Sequence, residues 1–186
     1  MNRMLSIAAL IALGGGPAVA QGGTATAAFP AQPQTRMADK AAVTFIVADS
    51  VGDVQLANLA LRKSQSPAVR ALAQTMVADH TKSALQAMQL AKQAGATTAK
   101  LEPSDEMLIA QQHLAQYKGY EFDEEWLKHE IAAHQNDIDT VRDAMEVASN
   151  PAVMQLELST LQIDEKHLGL ANAAFDEVER TKGRAK

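Results

Sequence analysis

Apolar residues recur in this chain at steps of three and four positions, and this spacing limits the fold more than any other feature of the sequence. Such steps place side chains on one face of an α-helix, because the helix has about 3.6 residues per turn. The sequence contains neither an alternating run of β-branched residues nor an Asn-Gly turn, which are the usual signals of strands and hairpins. The sequence therefore predicts an all-α protein.

Proline, glycine and capping residues divide this helical pattern into five segments. Ser66-Pro67 is a cap followed by proline at the first helical position, a common start signal. The candidate N-caps are Asp39, Ser66, Ser104 and Asp123. The predicted helices cover about 39–64, 67–94, 104–118, 123–149 and 152–181. Four long helices, with a short one in the central connection, predict an up-and-down four-helix bundle.

The first twenty residues have the pattern of a secretory signal peptide. Arg3 precedes an apolar run over residues 4–13, and the small-residue site Ala18-Val19-Ala20 follows. The run is too short to span a bilayer, and no cysteine is present for a lipid anchor. We expect cleavage after Ala20 and a periplasmic or secreted protein. The expected organisation is a signal peptide over 1–20, a flexible linker over 21–38, a bundle over 39–181 and a basic tail over 182–186.

The charge balance narrows the classes of partner. Loss of Arg3 with the signal peptide leaves 16 of the 17 Lys and Arg residues against 22 Asp and Glu. Binding to nucleic acid needs a clustered basic face, which a mixed and net acidic chain does not supply. The chain has no cysteine, so its stability must come from packing, or from packing and a ligand.

Three histidines interrupt the apolar stripes of three different helices. In the second helix the series is Ala73, Met76, His80, Ala84, Ala87 and Ala91. In the fourth segment it is Leu127, Ile131, His134, Ile138, Val141 and Met145. In the last helix it is Val153, Leu156, Thr160, Ile163, His167, Leu170, Ala174 and Val178. A histidine is therefore expected to face the core from each of these helices.

The first helix offers an acid at a similar position. The line Ile46, Ser50, Asp53, Ala57 and Ala60 turns Asp53 inward, whereas the line Val43, Val47, Ser50, Val54, Ala57 and Leu61 leaves it at the edge. Each predicted long helix has one of these polar residues within about three positions of its centre: Asp53, His80, His134 and His167. At a rise of about 1.5 Å per residue, the four side chains lie within about 5 Å of a common height along the bundle axis. We expect these four side chains to converge in the middle of the core.

Imidazole and carboxylate groups are ligands that suit Zn, Cu, Fe or Mn, and a bound cation would offset the buried charge of Asp53. The rival interpretation is a metal-free network of hydrogen bonds between histidines and carboxylates. Its candidate partners, which could also orient metal ligands, are Asp49, Asp79, Glu130 and Asp164. His113 and His129 lie off the inner stripes and are predicted to be at the surface.

Several blocks of the sequence resemble a known bacterial family. They include "MVADH", the "FD" of "GYEFDEEW" with its downstream His-Gln, and the final "HL" of "IDEKHL". Over about residues 39 to 178 the chain resembles the secreted ferritin-like proteins catalogued as domain of unknown function 4142. The resemblance implies an exported ferritin-like bundle with no settled role. In "SVGDVQL", Asp53 stands where the family pattern has Glu.

These observations support three hypotheses. The first is a non-enzymatic exported bundle that binds one transition-metal ion through His80, His134 and His167, with Asp53 as fourth ligand or counter-charge. Its role would be metal buffering, trafficking or protection against envelope stress. The second is a structural or interaction bundle with a metal-free polar core, able to form a homodimer or to bind an envelope protein.

The third hypothesis is a ferritin-like redox enzyme. Di-iron sites in that superfamily use two Glu residues and two Glu-x-x-His motifs. Here Val77 and Ile131 occupy the positions three residues before His80 and His134, and only Asp164 before His167 approximates the motif. This enzyme is ranked last because the carboxylates identified from the sequence are too few.

Overall fold

The computed structural model describes residues 33–93 and 103–184, with side chains described over 38–93 and 103–182. The helices are α1 (Pro33–Lys63), α2 (Pro67–Gln93), α3 (Asp105–Ala115), α4 (Gly119–Val147) and α5 (Pro151–Arg184). These residues contain no strand, which confirms the all-α prediction. None of the helices is long and apolar enough to cross a membrane. The predicted signal peptide and most of the predicted linker lie outside the described residues.

Two helix starts follow from local signals in the sequence. α2 begins at Pro67, directly after Ser66. The side chain of Ser104 accepts a hydrogen bond from the backbone N–H of Met107 and caps α3, as predicted. A capping side chain reaches only its own first turn, so such signals can be identified without knowledge of the fold.

Asp39 and Asp123 are not the caps that the sequence predicts. α1 begins at Pro33, so residues 33–38 are helical rather than linker. The Asp39 carboxylate accepts hydrogen bonds from the backbone N–H and the hydroxyl of Ser149, at 2.9 and 2.8 Å. Asp123 is buried inside α4, which begins at Gly119. Asp39 therefore ties α1 to the turn between α4 and α5, a contact that no local pattern predicts.

Two apolar clusters fill the ends of the bundle. The Trp126 cluster draws on the C-terminal halves of α1 and α5 and the N-terminal halves of α2 and α4; its members include Leu56, Leu72, Met76, Phe122, Trp126, Ala174 and Val178. The Ile46 cluster lies at the opposite ends of the helices and contains Ala42, Val43, Ile46, Val47, Ala87, Ala91, Val153 and Leu156, with Ala144 packed against it. Each cluster thus joins all four long helices.

The membership of the two clusters gives the direction of each helix. α1 and α5 run from the Ile46 cluster to the Trp126 cluster, and α2 and α4 run the other way. The strict up-and-down order is therefore wrong. The short turns at residues 64–66 and 148–150 make α1 antiparallel to α2 and α4 antiparallel to α5. The connection between α2 and α4 is 25 residues long and includes α3, which packs on α1 and α4. A connection of that length can return along the bundle and leave α2 and α4 parallel.

Candidate metal centre

A layer of buried polar side chains lies between the two apolar clusters. All four long helices contribute to it, and no member is more than 8% exposed. Its members are Asp49, Ser50, Asp53, His80, Ser83, Glu130, His134, Asp137, Thr160, Asp164 and His167. No Lys or Arg belongs to the buried set in the described parts of the chain. The acids of the layer therefore have no permanently cationic side chain buried among them.

The three histidines from different helices meet in this layer. Their ring centroids are 4.9 Å apart for His80 and His167, 5.3 Å for His134 and His167, and 5.7 Å for His80 and His134. One ring nitrogen of each lies within 4.8 Å of the other two. A residue at the middle of a helix keeps its level whichever way the helix runs, so the reversed direction of α4 does not separate the rings.

Hydrogen bonds hold the outer nitrogens of two of these rings. His134 Nδ1 is 2.9 Å from the backbone oxygen of Glu130, and His167 Nε2 is 3.0 Å from Asp79 Oδ2. Both partners are acceptors, so these nitrogens carry the single N–H of a neutral imidazole. The lone pairs of His134 Nε2 and His167 Nδ1 then remain available inside the layer. Oxygen acceptors orient metal-binding histidines in this way in many proteins.

The third ring, His80, stands between the other histidines and Asp53. Its Nε2 lies 3.1 Å from His167 Nδ1, and its Nδ1 lies 3.3 Å from Asp53 Oδ2. If Nδ1 carries the proton, the lone pairs of His80 Nε2 and His167 Nδ1 face each other and need a cation between them. Two nitrogen ligands on a tetrahedral ion are about 3.4 Å apart, so the observed separation needs little adjustment to accept one.

Asp53 takes a different place from the one expected of a fourth ligand. Its side chain is buried and that of Val54 is half-buried, which agrees with the predicted line that contains Asp53 and not with the line that contains Val54. However, its carboxylate lies at the Nδ1 edge of His80, and the ligand atoms that group with it belong to Asp49 and His80. For an ion held by the three histidines, this position suits a counter-charge that orients His80.

The polar layer contains more acids than the sequence stripes predict. Glu130 and Asp164 are fully buried, whereas their neighbours Ile131 and Ile163, which the predicted stripes place in the core, are only half-buried. A stripe that follows apolar residues alone does not include such buried acids. Asp137, a further buried acid, was missed altogether. The signal was available in the spacing, since Glu130 and Asp137 lie four residues before and three after His134. The prediction that the core has too few carboxylates for a ferritin-like redox enzyme is therefore wrong.

Burial governs the charge of this layer. Loss of solvation, reinforced by repulsion between the acids, raises the pKa of Asp49 and Asp53 well above the usual range and that of Glu130 to about 8. Burial likewise raises the pKa of Asp164 to about 8 and that of Asp137 to about 6. Without a cation, Glu130 and Asp164 therefore hold protons at neutral pH.

The histidines are neutral under the same conditions. Burial, and then the neighbouring rings, lower the pKa of His80 well below its usual range and that of His134 to about 4. Neither oxygen of Asp53, Glu130 or Asp164 has a hydrogen-bond partner among the described residues. The layer therefore combines neutral imidazole nitrogens with unpartnered carboxyl oxygens, a donor set for a divalent transition metal.

The two remaining histidines lie away from the layer. His113 is exposed, as predicted. His129 is half-buried, and burial lowers its pKa. It lines a surface groove between α1, α3 and α4, so the surface prediction is only partly correct for this residue.

Comparison with known proteins identifies the family of the chain. Residues 24–174 match the family described as Domain of unknown function (DUF4142). No curated protein and no solved structure matches the chain. The match covers α1 to α4 completely and most of α5. The chain therefore belongs to the DUF4142 family, a domain of unknown function.

Proposed function

We propose that this protein is an exported helical bundle that binds one transition-metal ion through His80, His134 and His167. One observation carries the proposal: three neutral imidazoles converge in a buried layer, and oxygen acceptors hold the outer nitrogens of His134 and His167. The acids around them have no buried Lys or Arg partner in the described residues. A bound cation offsets their charge when they ionise.

The donor set favours particular ions. Three imidazole nitrogens suit Zn²⁺ and Cu²⁺ best, and the surrounding carboxyl groups extend the range to Fe²⁺ and Mn²⁺. The protein would supply the ligands and exclude water, because each histidine is at most 1% exposed. Such a site fits metal buffering or trafficking, or protection of the cell envelope from metal stress.

A ferritin-like arrangement and a location outside the cytoplasm belong to the same proposal. The single long connection between parallel helices α2 and α4 is typical of ferritin-like bundles. The amino-terminal pattern with Ala18-Val19-Ala20 supports export to the periplasm or beyond.

A metal-free hydrogen-bonded core is the second candidate, and the contact between His80 Nε2 and His167 Nδ1 at 3.1 Å favours it. If Nε2 of His80 carries the proton, this contact is an ordinary hydrogen bond that needs no ion. The layer would then hold the four helices in register and leave binding to the outer surface.

The deciding experiment is elemental analysis of the purified chain, prepared without chelator or histidine tag and reconstituted separately with Zn²⁺, Cu²⁺, Fe²⁺ and Mn²⁺. We expect about one ion per chain to survive desalting, and His134→Ala to lose this retained ion. His113→Ala is the matched control, because it removes an exposed histidine. A chelator should lower the melting temperature of the loaded protein, since an ion bound only by the folded state stabilises it.

Two results would reject the metal site. The first is that no ion is retained under any condition and the chelator leaves melting unchanged, in which case the hydrogen-bonded core is correct. The second is retention of the ion by His80→Ala, His134→Ala and His167→Ala alike. Retention of two irons per chain, with consumption of peroxide or oxygen, would instead indicate a redox enzyme.

A further inference from the structure

A second set of donors lies on the opposite edge of the His80 ring. Asp49 and Asp53 stand one turn apart on α1, and each offers a carboxylate oxygen within 4.8 Å of a ring nitrogen of His80 and of the other's oxygen. All three side chains are at least nine-tenths buried. None of the atoms that define the three-histidine site belongs to the two aspartates.

The contact between His80 and Asp53 resembles two ligands of one ion more than a hydrogen bond. His80 Nδ1 lies 3.3 Å from Asp53 Oδ2, yet neither atom has a hydrogen-bond partner among the described residues. A hydrogen-bonded pair directs the N–H at its acceptor. Two ligands on a four-coordinate ion instead lie about 3.4 Å apart and point at a common centre.

The hydrogen-bond chain on the other side of the ring leaves Nδ1 of His80 free to act as a ligand. When the single proton of His80 is on Nε2, this N–H donates to His167 Nδ1 at 3.1 Å, and His167 Nε2 donates to Asp79 at 3.0 Å. The lone pair of His80 then sits on Nδ1 and faces Asp53. A neutral imidazole has one lone pair, so His80 serves either the aspartates or the other histidines.

A surface groove brings solvent to the aspartate side of the layer. The groove has a volume of about 470 Å³, lies between α1, α3 and α4, and includes Asp49 and Asp137 in its lining. None of the three histidines of the metal centre lines it. An ion that enters through this groove meets carboxylate oxygens before it meets the buried imidazoles.

We propose that Asp49, Asp53 and Nδ1 of His80 form a second cation site, which accepts a divalent transition-metal ion from the groove and shares His80 with the three-histidine site. Only the destination of the ion rests on the proposed function; the second site has its own ligands. Transfer inward requires the His80 proton to move from Nε2 to Nδ1, which turns the lone pair towards His134 and His167.

The test uses Cu²⁺ as the probe and the full chain, with electron paramagnetic resonance to count the nitrogen ligands. The wild-type protein should hold Cu²⁺ with three nitrogens. His134→Ala should still bind about one Cu²⁺ at equilibrium, more weakly, with one nitrogen and oxygen ligands. Adding Asp49→Asn to that variant should weaken binding at least tenfold, whereas adding Asp139→Asn, an exposed charge-matched control, should not. His80→Ala should remove both signals.

The outcomes separate the two proposals. If His134→Ala folds, as judged by circular dichroism, and binds no Cu²⁺, the second site is wrong while the first stands. If the double variant keeps its oxygen-rich ion, the assignment of Asp49 is wrong. A wild-type signal with one nitrogen that Asp49→Asn removes would support the second site and reject the first. His134→Gln replaces His134→Ala if the smaller residue prevents folding.

Discussion

The Trp126 cluster and the polar layer are built from adjacent turns of the same four helices, but they affect stability in opposite directions. In the Trp126 cluster, Phe122, Trp126 and Leu56 are completely buried, and each such side chain contributes about 2–3 kcal/mol by leaving water. In the layer, Asp53, Glu130 and Asp164 are equally buried and their oxygens have no partners in the described part of the chain. Burial of such groups costs free energy unless a proton or a cation neutralises them.

This difference indicates how the bundle can contain the layer at all. Two apolar clusters flank it, and both join all four long helices. The helices are therefore positioned by packing above and below the histidines, independently of any ion. Packing on both sides of the layer therefore holds the three rings in place, as the proposed metal site requires.

The largest expected effect comes from the apolar side of the comparison. Trp126→Ala should lower the free energy of unfolding by about 3–5 kcal/mol, because it leaves a cavity in a filled cluster. Chemical denaturation measures this loss. Leu85→Ala, at a residue 61% exposed, should change stability by less than about 0.5 kcal/mol. Comparable losses in both variants would mean that the Trp126 cluster does not stabilise the bundle as argued.

A smaller effect of opposite sign is expected in the layer. Glu130→Met should raise the stability of the metal-free protein by about 1–3 kcal/mol, because it replaces an unpartnered buried acid with an apolar side chain of similar volume. Denaturation of chelator-treated protein at pH 8 measures the change. Glu121→Met, on the exposed face of α4, is the control. A loss of stability in Glu130→Met would show that this carboxyl group has a partner that stabilises it.

The smallest expected effect of a single substitution is a change in the pH dependence of the metal-free protein. Glu130 and Asp164 have a pKa of about 8 when folded, above their values of about 4 when unfolded. The folded state therefore binds more protons, and stability should fall as pH rises from 6.5 to 8, by up to about 1.4 kcal/mol per pH unit for each group. Glu130→Gln should make this slope shallower. A slope that does not change in Glu130→Gln would contradict the raised pKa.

The histidines act in the opposite sense at lower pH. Their folded pKa is lowered, to about 4 for His134, so the histidines bind more protons in the unfolded state below about pH 6.5. Their contribution to stability therefore falls as the solution is acidified, while that of the buried acids rises. A bound metal ion should reverse the trend above pH 6.5, since it binds deprotonated ligands and competes with their protons. Thermal melting of loaded and chelator-treated protein between pH 5 and pH 8 separates these two regimes.

The sequence by itself determined the helices and the level at which the histidines meet. Helix formation depends on spacing and capping within a few residues, so Pro67, Ser104 and the three-four stripes predict their segments correctly. The histidines lie near the midpoints of α2, α4 and α5. A midpoint lies at the same level for either direction of a helix, so an incorrect topology still placed the rings together.

Only the tertiary structure decided the direction of α4, the partner of Asp39 and the membership of the polar layer. These depend on contacts between residues far apart in the chain, such as the hydrogen bonds of Asp39 with Ser149. Glu130 and Asp164 are buried because four helices close around that level, and a pattern that assigns apolar residues to the core does not include them. Local chemistry specifies the starts of α2 and α3, whereas packing between helices specifies which face of each helix becomes the interior.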